Sequence, residues 1–502
     1  MSDQKNVPGV TIYGQIAIDH IVDVNQLIRL GPVSDLLRIG EDGELIFNKG
    51  AYISTEESYI PWFFGPLDIY DGGKKYSATE VCRFGGRIIA IIQKGLVREL
   101  GVPNKELGGG GPNNVKLLYQ VFRKFPIQFI GTYRIRGSEE RGTDIWEYAL
   151  QSMVSKLDLI PLHENPPINI CFEGVGTDRD DRTIIRSPFP PLPLDRLRDI
   201  RWPRADGSTI IVNTIYTRTL AVEALIAATT QAKLSIIALT QALCSKSPFL
   251  DDERKFFQES YPNIDFSHIN SVHDLILKYV LPNSGAILIL NEGELEHLSG
   301  VSVFDKRHRK RLLGGVLDGL NRLRELQGDH IEKVFFTMGK QGSLCCLDRE
   351  GDLHYCGVTD VPGATAGKTA IGDLYAGTII GYEHVKRIIQ RKSINVGYQL
   401  TAAAAAADVG VAKGFRAVNV LSIDSGIIES WRNYIGLGPI NSVIKKAEKL
   451  YGSLYEVRLE DVEWDKISIS GEKQAGPTFL EIDLTRDYLR PPFANSVHLE
   501  TK

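Results

Sequence analysis

The segment Thr365-Ala-Gly-Lys-Thr-Ala-Ile-Gly-Asp-Leu-Tyr-Ala-Gly377 combines small residues, a lysine and a carboxylate just ahead of an apolar, helix-forming run, Leu374–His384. Small residues before a helix let successive backbone N–H groups converge on one point, and the helix dipole adds positive potential there. Such a nest suits phosphate. Asp373 is the odd member, because a carboxylate repels phosphate. It makes sense beside an anion hole if it takes a proton from an incoming hydroxyl; it makes equal sense as a helix-capping residue. Ala366-Gly-Lys-Thr369 is a near miss to the phosphate-binding loop G-x-x-x-x-G-K-[ST], since Pro362 stands where the first glycine is required.

Three further segments could bind polar ligands. Gly108-Gly-Gly-Gly-Pro-Asn-Asn114 opens a helix, so its backbone can approach a ligand closely and its asparagines can offer amide contacts. Asn291-Glu-Gly-Glu294 follows the apolar strand Ala286–Leu290, at the strand end where α/β proteins place ligands. It could hold water around Mg²⁺ or simply start a helix as a capping pattern. Thr337-Met-Gly-Lys-Gln-Gly342 is another glycine turn after a strand.

These segments need a scaffold that aligns strand ends and helix starts. Val10–Asp19 reads as a buried strand ending in a carboxylate. From about Leu30 to Glu106, short alternating pieces broken by Asp71-Gly-Gly73 and Gly85-Gly86 predict β-hairpins. After Gly108, apolar runs at Ile127–Gly131, Ile168–Glu173, Thr209–Asn213, Ser235–Thr240, Ala286–Leu290 and Lys333–Thr337 alternate with helical stretches. That alternation predicts a mostly parallel sheet covered on both faces. Six alanines, Ala402–Ala407, predict a helix docked closely on it. Past Val420 the chain continues to Lys502 with one further helix candidate, Ile440–Tyr451.

Composition narrows the function classes. With 58 basic and 62 acidic side chains the net charge is −4, so the global basic excess of a nucleic-acid binder is missing. The run Lys306-Arg-His-Arg-Lys-Arg311 reads as solvated surface. No stretch is apolar enough for a membrane helix, and the start, Met1–Pro8, lacks a secretory h-region. The six cysteines show no C-x-x-C pairing, which predicts reduced thiols in a cytoplasmic protein.

In this order and spacing the segments resemble the ribokinase-like (PfkB) family of carbohydrate and nucleoside kinases, over about Gly14 to Gly414. Gly14–Asp19 resembles the family's first strand, which implies that Asp19 binds substrate hydroxyls. Gly109, Gly110 and Asn114 match its G-G-x-x-x-N sugar-binding turn, and Gly137–Gly142 its G-x-D-x-x-G segment with Glu139 for Asp. Asn291 and Glu294 match its N-x-x-E motif, which implies Mg²⁺ organised through water and favours ATP over ADP as donor. Thr337, Gly339 and Gly342 match its T-x-G-x-x-G nucleotide turn. Gly372-Asp373 matches the end of its D-T-x-G-A-G-D signature, which implies Asp373 as catalytic base and an anion hole from Ala370, Ile371 and Gly372, with Lys368 beside it.

The signature's leading Asp-Thr is Gly367-Lys368 here, and its two small positions are Ala370 and Ile371. In members that use a monovalent cation, that aspartate accompanies the cation site, so Lys368 implies an ammonium in place of the pair.

The expectations are therefore a three-layer ribokinase-like α/β sandwich with a mostly parallel central sheet (10–29 and 107–420), a β-rich lid insertion (30–106) and a C-terminal extension (421–502). The activity expected is transfer of a phosphoryl group from ATP to a small-molecule sugar or polyol, with Mg²⁺ as cofactor, in a protein that dimerises through its lid. The alternatives are a nucleoside or phosphosugar kinase, or a catalytically silent regulatory protein on the same fold.

Overall fold

The computed structural model describes residues 7–23, 52–54, 70–71, 74–75, 104–122, 125–134, 149–163, 168–173, 183–186, 194–215, 217–240, 243–244, 246–305, 310–330, 332–347, 351–358, 371–413, 434–470 and 473–474. Ala370 and Lys368, the 137–142 segment, most of the 30–106 segment and the first four residues of the basic run lie outside these. The side chain of Asp19 also falls outside the description, although its backbone is within it.

Eleven strands form one sheet in the order Lys473–Gln474, Tyr434–Pro439, Asp352–Cys356, Ser343–Leu347, Lys333–Thr337, Ile287–Asn291, Leu234–Ala238, Thr209–Asn213, Val10–Gln15, Ile127–Arg134 and Lys156–His163. The last seven of these run parallel. The first four are added antiparallel to one another and to their parallel neighbour. The parallel strands are apolar on both faces because helices cover both. Ile210 and Val212 point into one core with helices Arg218–Thr230 and Leu313–Gln327, while Ile211 points into the other with helices Gly110–Leu117, Ile371–Glu383 and Val396–Lys413. The same alternation recurs at Tyr13 against Ile12, Ile130 against Phe129, and Phe336 against Phe335. Truncating one of these side chains to Ala would cost about 2–5 kcal/mol. The architecture is the expected three-layer α/β sandwich with a mostly parallel central sheet.

A second sheet has five strands in the order Tyr52–Ser54, Thr183–Arg186, Ile168–Glu173, Ala17–Asp23 and Asn104–Gly108. Two readings of the sequence differ here. The opening run Val10–Asp19 is not one strand: it leaves the main sheet at Gln15 and enters the small sheet at Ala17. Ile168–Glu173 is not in the main sheet but lies parallel to Ala17–Asp23 in the small one. Apolar runs of this length carry no information about which sheet will claim them; pairing partners decide it. Within 30–106, Tyr70–Asp71 and Lys74–Lys75 pair antiparallel on either side of Gly72-Gly73, as the turn signal predicts.

Among the described residues no helix is long and apolar enough to cross a membrane. Cys244, Cys345, Cys346 and Cys356 are buried, and none forms a disulfide.

Candidate active site

The chain builds the sheet outward from Val10–Gln15 in both directions. It first adds Ile127–Arg134 and Lys156–His163 on one side, then crosses back to lay Thr209–Asn213 and its successors on the other. Strand order therefore reverses between Val10–Gln15 and Thr209–Asn213. Outside the carboxyl ends of the strands, such a reversal opens a crevice where α/β sheets bind ligands.

The glycine run fills the floor of that crevice, and only glycine fits. Gly109 has φ +94°, and a Cβ there would lie 2.2 Å from the carbonyl oxygen of Gln15. A Cβ on Gly110 would stand 2.2 Å from Thr214 Oγ1 and 2.5 Å from Asn213 Oδ1. Gly111 and Gly14 press backbone to backbone, so helix Gly110–Leu117 starts directly against the end of the first strand. Across the crevice, helix Ile371–Glu383 also begins, with Asp373 in its first turn.

Hydrogen bonds join these two helix starts. Asn113 Nδ2 donates to Asp373 Oδ2 at 2.8 Å, and Asn114 Nδ2 donates to the main-chain oxygen of Asp373 at 3.0 Å. Asn114 Oδ1 accepts from Asn213 Nδ2 at 2.6 Å, and Asn213 Oδ1 accepts from Thr214 Oγ1 at 2.7 Å. Thr214 has φ +48°, a region that a β-branched residue enters at a cost of about 1–3 kcal/mol. This strain sits where strand Thr209–Asn213 opens into the crevice. Among the described residues, no atom lies within 4 Å of where a Cβ would stand on Gly372. The first N–H groups of such a turn have no partner within the helix.

A second group lies farther along the same edge. Asn213 and Asn291 end strands two places apart, about 10 Å at ordinary strand spacing. Asn291 and Glu294 form a capping box: Glu294 Oε2 accepts from the Asn291 backbone N–H at 2.8 Å, and Asn291 Oδ1 accepts from Glu294 N–H at 3.1 Å. Burial pushes the Glu294 carboxyl up to about 8, with Glu292 adding repulsion, against the hydrogen bonds from Asn291. Thr337 is the register partner of Asn291. It is followed by the tight Gly339–Gln341 turn, with φ +58° at Gly339 and +95° at Gly342. Arg311 ties the two motifs together. It donates to the Met338 carbonyl at 2.7 Å and to Glu292 at 3.2 Å, and its other terminal nitrogen donates to Glu460 at 2.9 Å.

The structure thus brings Gly109, Gly110, Asn114, Ile371, Gly372 and Asp373 to the switch point, with Asn291, Glu294, Thr337, Gly339 and Gly342 along the adjoining edge. Asp19 is placed on the small sheet, in register with Glu106 and Asn169. Sequence reasoning gave no site role to Lys116, Asn213, Thr214 and Arg311, and took Asn113 only as an amide contact for a ligand. For Asn213 a signal existed, a polar residue closing an apolar strand at the ligand-binding end; for Arg311 none did, since it hides in a basic run.

No family model matches the chain, and no curated protein matches it. Among solved structures it is similar to an adenosine kinase from Schistosoma mansoni in complex with 2-fluoroadenosine (16% identity, 81% of this chain and 96% of that one, TM-score 0.49). It is also similar to a probable sugar kinase protein from Rhizobium etli CFN 42 (12%, 80% and 93%, TM-score 0.47). A third is a ribokinase from Arabidopsis thaliana complexed with ribose and ATP (13%, 83% and 100%, TM-score 0.43).

Proposed function

We propose that this protein is a phosphotransferase of the ribokinase-like kind that moves the γ-phosphoryl group of ATP to a hydroxyl of a sugar or related polyol. The observation that carries the reading is the first turn of helix Ile371–Glu383, where the Asp373 carboxylate accepts from Asn113 and its main-chain oxygen accepts from Asn114, beside helix-start N–H groups at the sheet's switch point. Asp373 takes the proton of the acceptor hydroxyl as the oxygen attacks phosphorus. The N–H groups of Ile371, Gly372 and Asp373 face the charge that develops on the transferred phosphoryl. Ala370 and Lys368 extend this anion site. Asp19, Gly109, Gly110 and Asn114 hold the acceptor, and Thr337, Gly339 and Gly342 hold the nucleotide. The 30–106 insertion serves as the lid and as the dimer contact.

Among the described residues no three His, Cys, Asp or Glu side chains converge as metal ligands. Asn291 and Glu294 nonetheless carry oxygen donors of the kind that suits Mg²⁺ at the end of a parallel strand. Asn291 and Glu294 would hold Mg²⁺ through water, where it would neutralise nucleotide phosphates.

The test is a phosphorylation screen of sugars, sugar phosphates and nucleosides with ATP and ADP, with Asp373→Asn as control. Turnover of a sugar with ATP, lost in the control, supports the reading; turnover of nucleosides alone moves the acceptor class, and no turnover at all favours a silent regulatory protein.

A further inference from the structure

We propose that Lys116 and Asn113 form a hydrogen-bond relay that orients the Asp373 carboxylate and ties it to the small sheet, so that both are positioning residues for the reaction. The inference rests on the reading of Asp373 as the base.

Lys116 Nζ donates to the Leu107 carbonyl at 2.5 Å and to Asn113 Oδ1 at 3.2 Å. Asn113 Nδ2 in turn donates to Asp373 Oδ2 at 2.8 Å. Asn113 is 6% exposed, so water competes little for its amide. The two ends of an amide look alike by shape, but an ammonium can only donate. Lys116 therefore fixes Oδ1 toward itself and turns Nδ2 toward the carboxylate. Asn113 and Lys116 are three residues apart on helix Gly110–Leu117 and share one face of it. From Lys116 through Asn113 to Asp373 both bonds run from donor to acceptor in one direction, so the first polarises the second, while the bond to the Leu107 carbonyl points the other way and anchors the ammonium. No proton travels along it; the lysine stays charged and the amide stays neutral.

The division of labour with Asn114 is specific. Asn114 holds the main-chain oxygen of Asp373 and so fixes the helix start, whereas Asn113 holds the carboxylate itself. The far end of the relay lies in the small sheet. Leu107 pairs with Ile18 on strand Ala17–Asp23, and the next register pair is Glu106 with Asp19. A displacement of strand Asn104–Gly108 is thus felt at Lys116 and, through one amide, at the base. The orientation of the base becomes conditional on where the small sheet stands.

The described titratable side chains on the segments packed against helix Ile371–Glu383 are Lys116 on Gly110–Leu117, Tyr119 on Leu118–Phe122, His384, Lys386 and Arg387 on His384–Ile389, and Tyr398 and Asp408 on Val396–Lys413. Tyr398 is engaged by Tyr382. A test must isolate Asp373 from these groups. The difference in unfolding midpoint between the parent and Asp373→Asn, followed across acid pH, reports ionisation of this one carboxylate with no substrate present. Removing a donor from a carboxylate disfavours its charged form. In Asn113→Leu the inflection of that difference should move to higher pH by about one unit. In Lys116→Met it should move less, and Lys116→Met should add nothing once Asn113 is Leu. Lys116→Arg should restore the parental position. With substrate, the acid limb of kcat should move the same way in both variants while KM for ATP holds.

An inflection that stays put in both Asn113→Leu and Lys116→Met overturns the relay. Should one variant fail to fold, the other decides. Full turnover in Asp373→Asn would remove the base reading, yet the substrate-free inflection would still decide whether the relay acts on the carboxylate. Loss of turnover in Asp373→Asn with an unmoved inflection sinks the relay alone.

Discussion

Asp373→Asn is the residue-scale experiment, because asparagine keeps the size and accepting oxygen of aspartate but cannot accept a hydroxyl proton. If Asp373 is the base, kcat falls by about 10² or more while the helix stays formed; a kcat within twofold of the parent would leave it a structural carboxylate. A second residue ties folding to pH. His384 is buried beyond the end of helix Ile371–Glu383, with Nε2 at 3.0 Å from the Pro8 carbonyl and Nδ1 at 2.8 Å from Thr209 Oγ1. The carbonyl can only accept, so Nε2 carries the proton and Nδ1 accepts from the threonine hydroxyl. Burial holds its pKa down at about 4. The unfolded chain then binds a proton that the folded one refuses between about pH 6.5 and 4, so stability is lost as pH falls through that window. The unfolding midpoint of the parent relative to that of His384→Gln should fall between pH 7 and 4, the comparison cancelling carboxyls such as Glu294 whose raised values act in the opposite sense; a difference that stays constant across this range would show that His384 does not couple folding to pH. The motif residues Gly109, Gly110, Asn291 and Asp373 are legible in the sequence because each sits at a strand end or helix start with a local signature. Asn113 and Lys116 are not, because their meaning depends on what lies across the crevice.

At the scale of elements, helix starts are well predicted and sheet membership is not. Gly110–Leu117 begins within the glycine run, and Ile440–Tyr451 matches its predicted span. Glycine at 110 is demanded by Thr214 and Asn213, which no local pattern reveals. Gly110→Ala should cost about 1–3 kcal/mol by overpacking and should displace the Asn213–Asn114 bond. A thermal midpoint equal to the parent's would show that the crevice floor can yield. Arg311 joins three elements at the Gly339–Gln341 turn proposed to hold the nucleotide, bonding the Met338 carbonyl on one side and Glu460 on the other. Arg311→Met should raise KM for ATP by about five- to tenfold with kcat little changed, the order of one lost charged hydrogen bond. Steady-state kinetics with ATP varied would check it, and a KM equal to the parent's would separate that turn from nucleotide binding.

At the scale of the whole molecule, the segment beyond residue 420 is expected from sequence to be an extension, but part of it is built into the sandwich. Tyr434–Pro439 pairs with Asp352–Cys356 in the main sheet, and Leu437, Ile440, Val443, Trp464 and Ile467 are buried in the same core as Leu317 and Phe336. Truncation after residue 420 should therefore abolish a cooperative thermal transition rather than release an intact α/β domain. A soluble truncated chain with the parental midpoint would contradict this. The sequence by itself determined the residue types, the two-residue alternation of the strands, the glycines at the turns and the carboxylate in the first turn of a late helix, because these are set by interactions within a few residues. Only the tertiary structure decided which strands are neighbours, where their order reverses, that Ile168–Glu173 belongs to the small sheet, and that Asn113 meets Asp373 across 260 positions of chain. Those outcomes depend on pairing between segments far apart, where many registers satisfy the same apolar pattern and only the packed whole selects one.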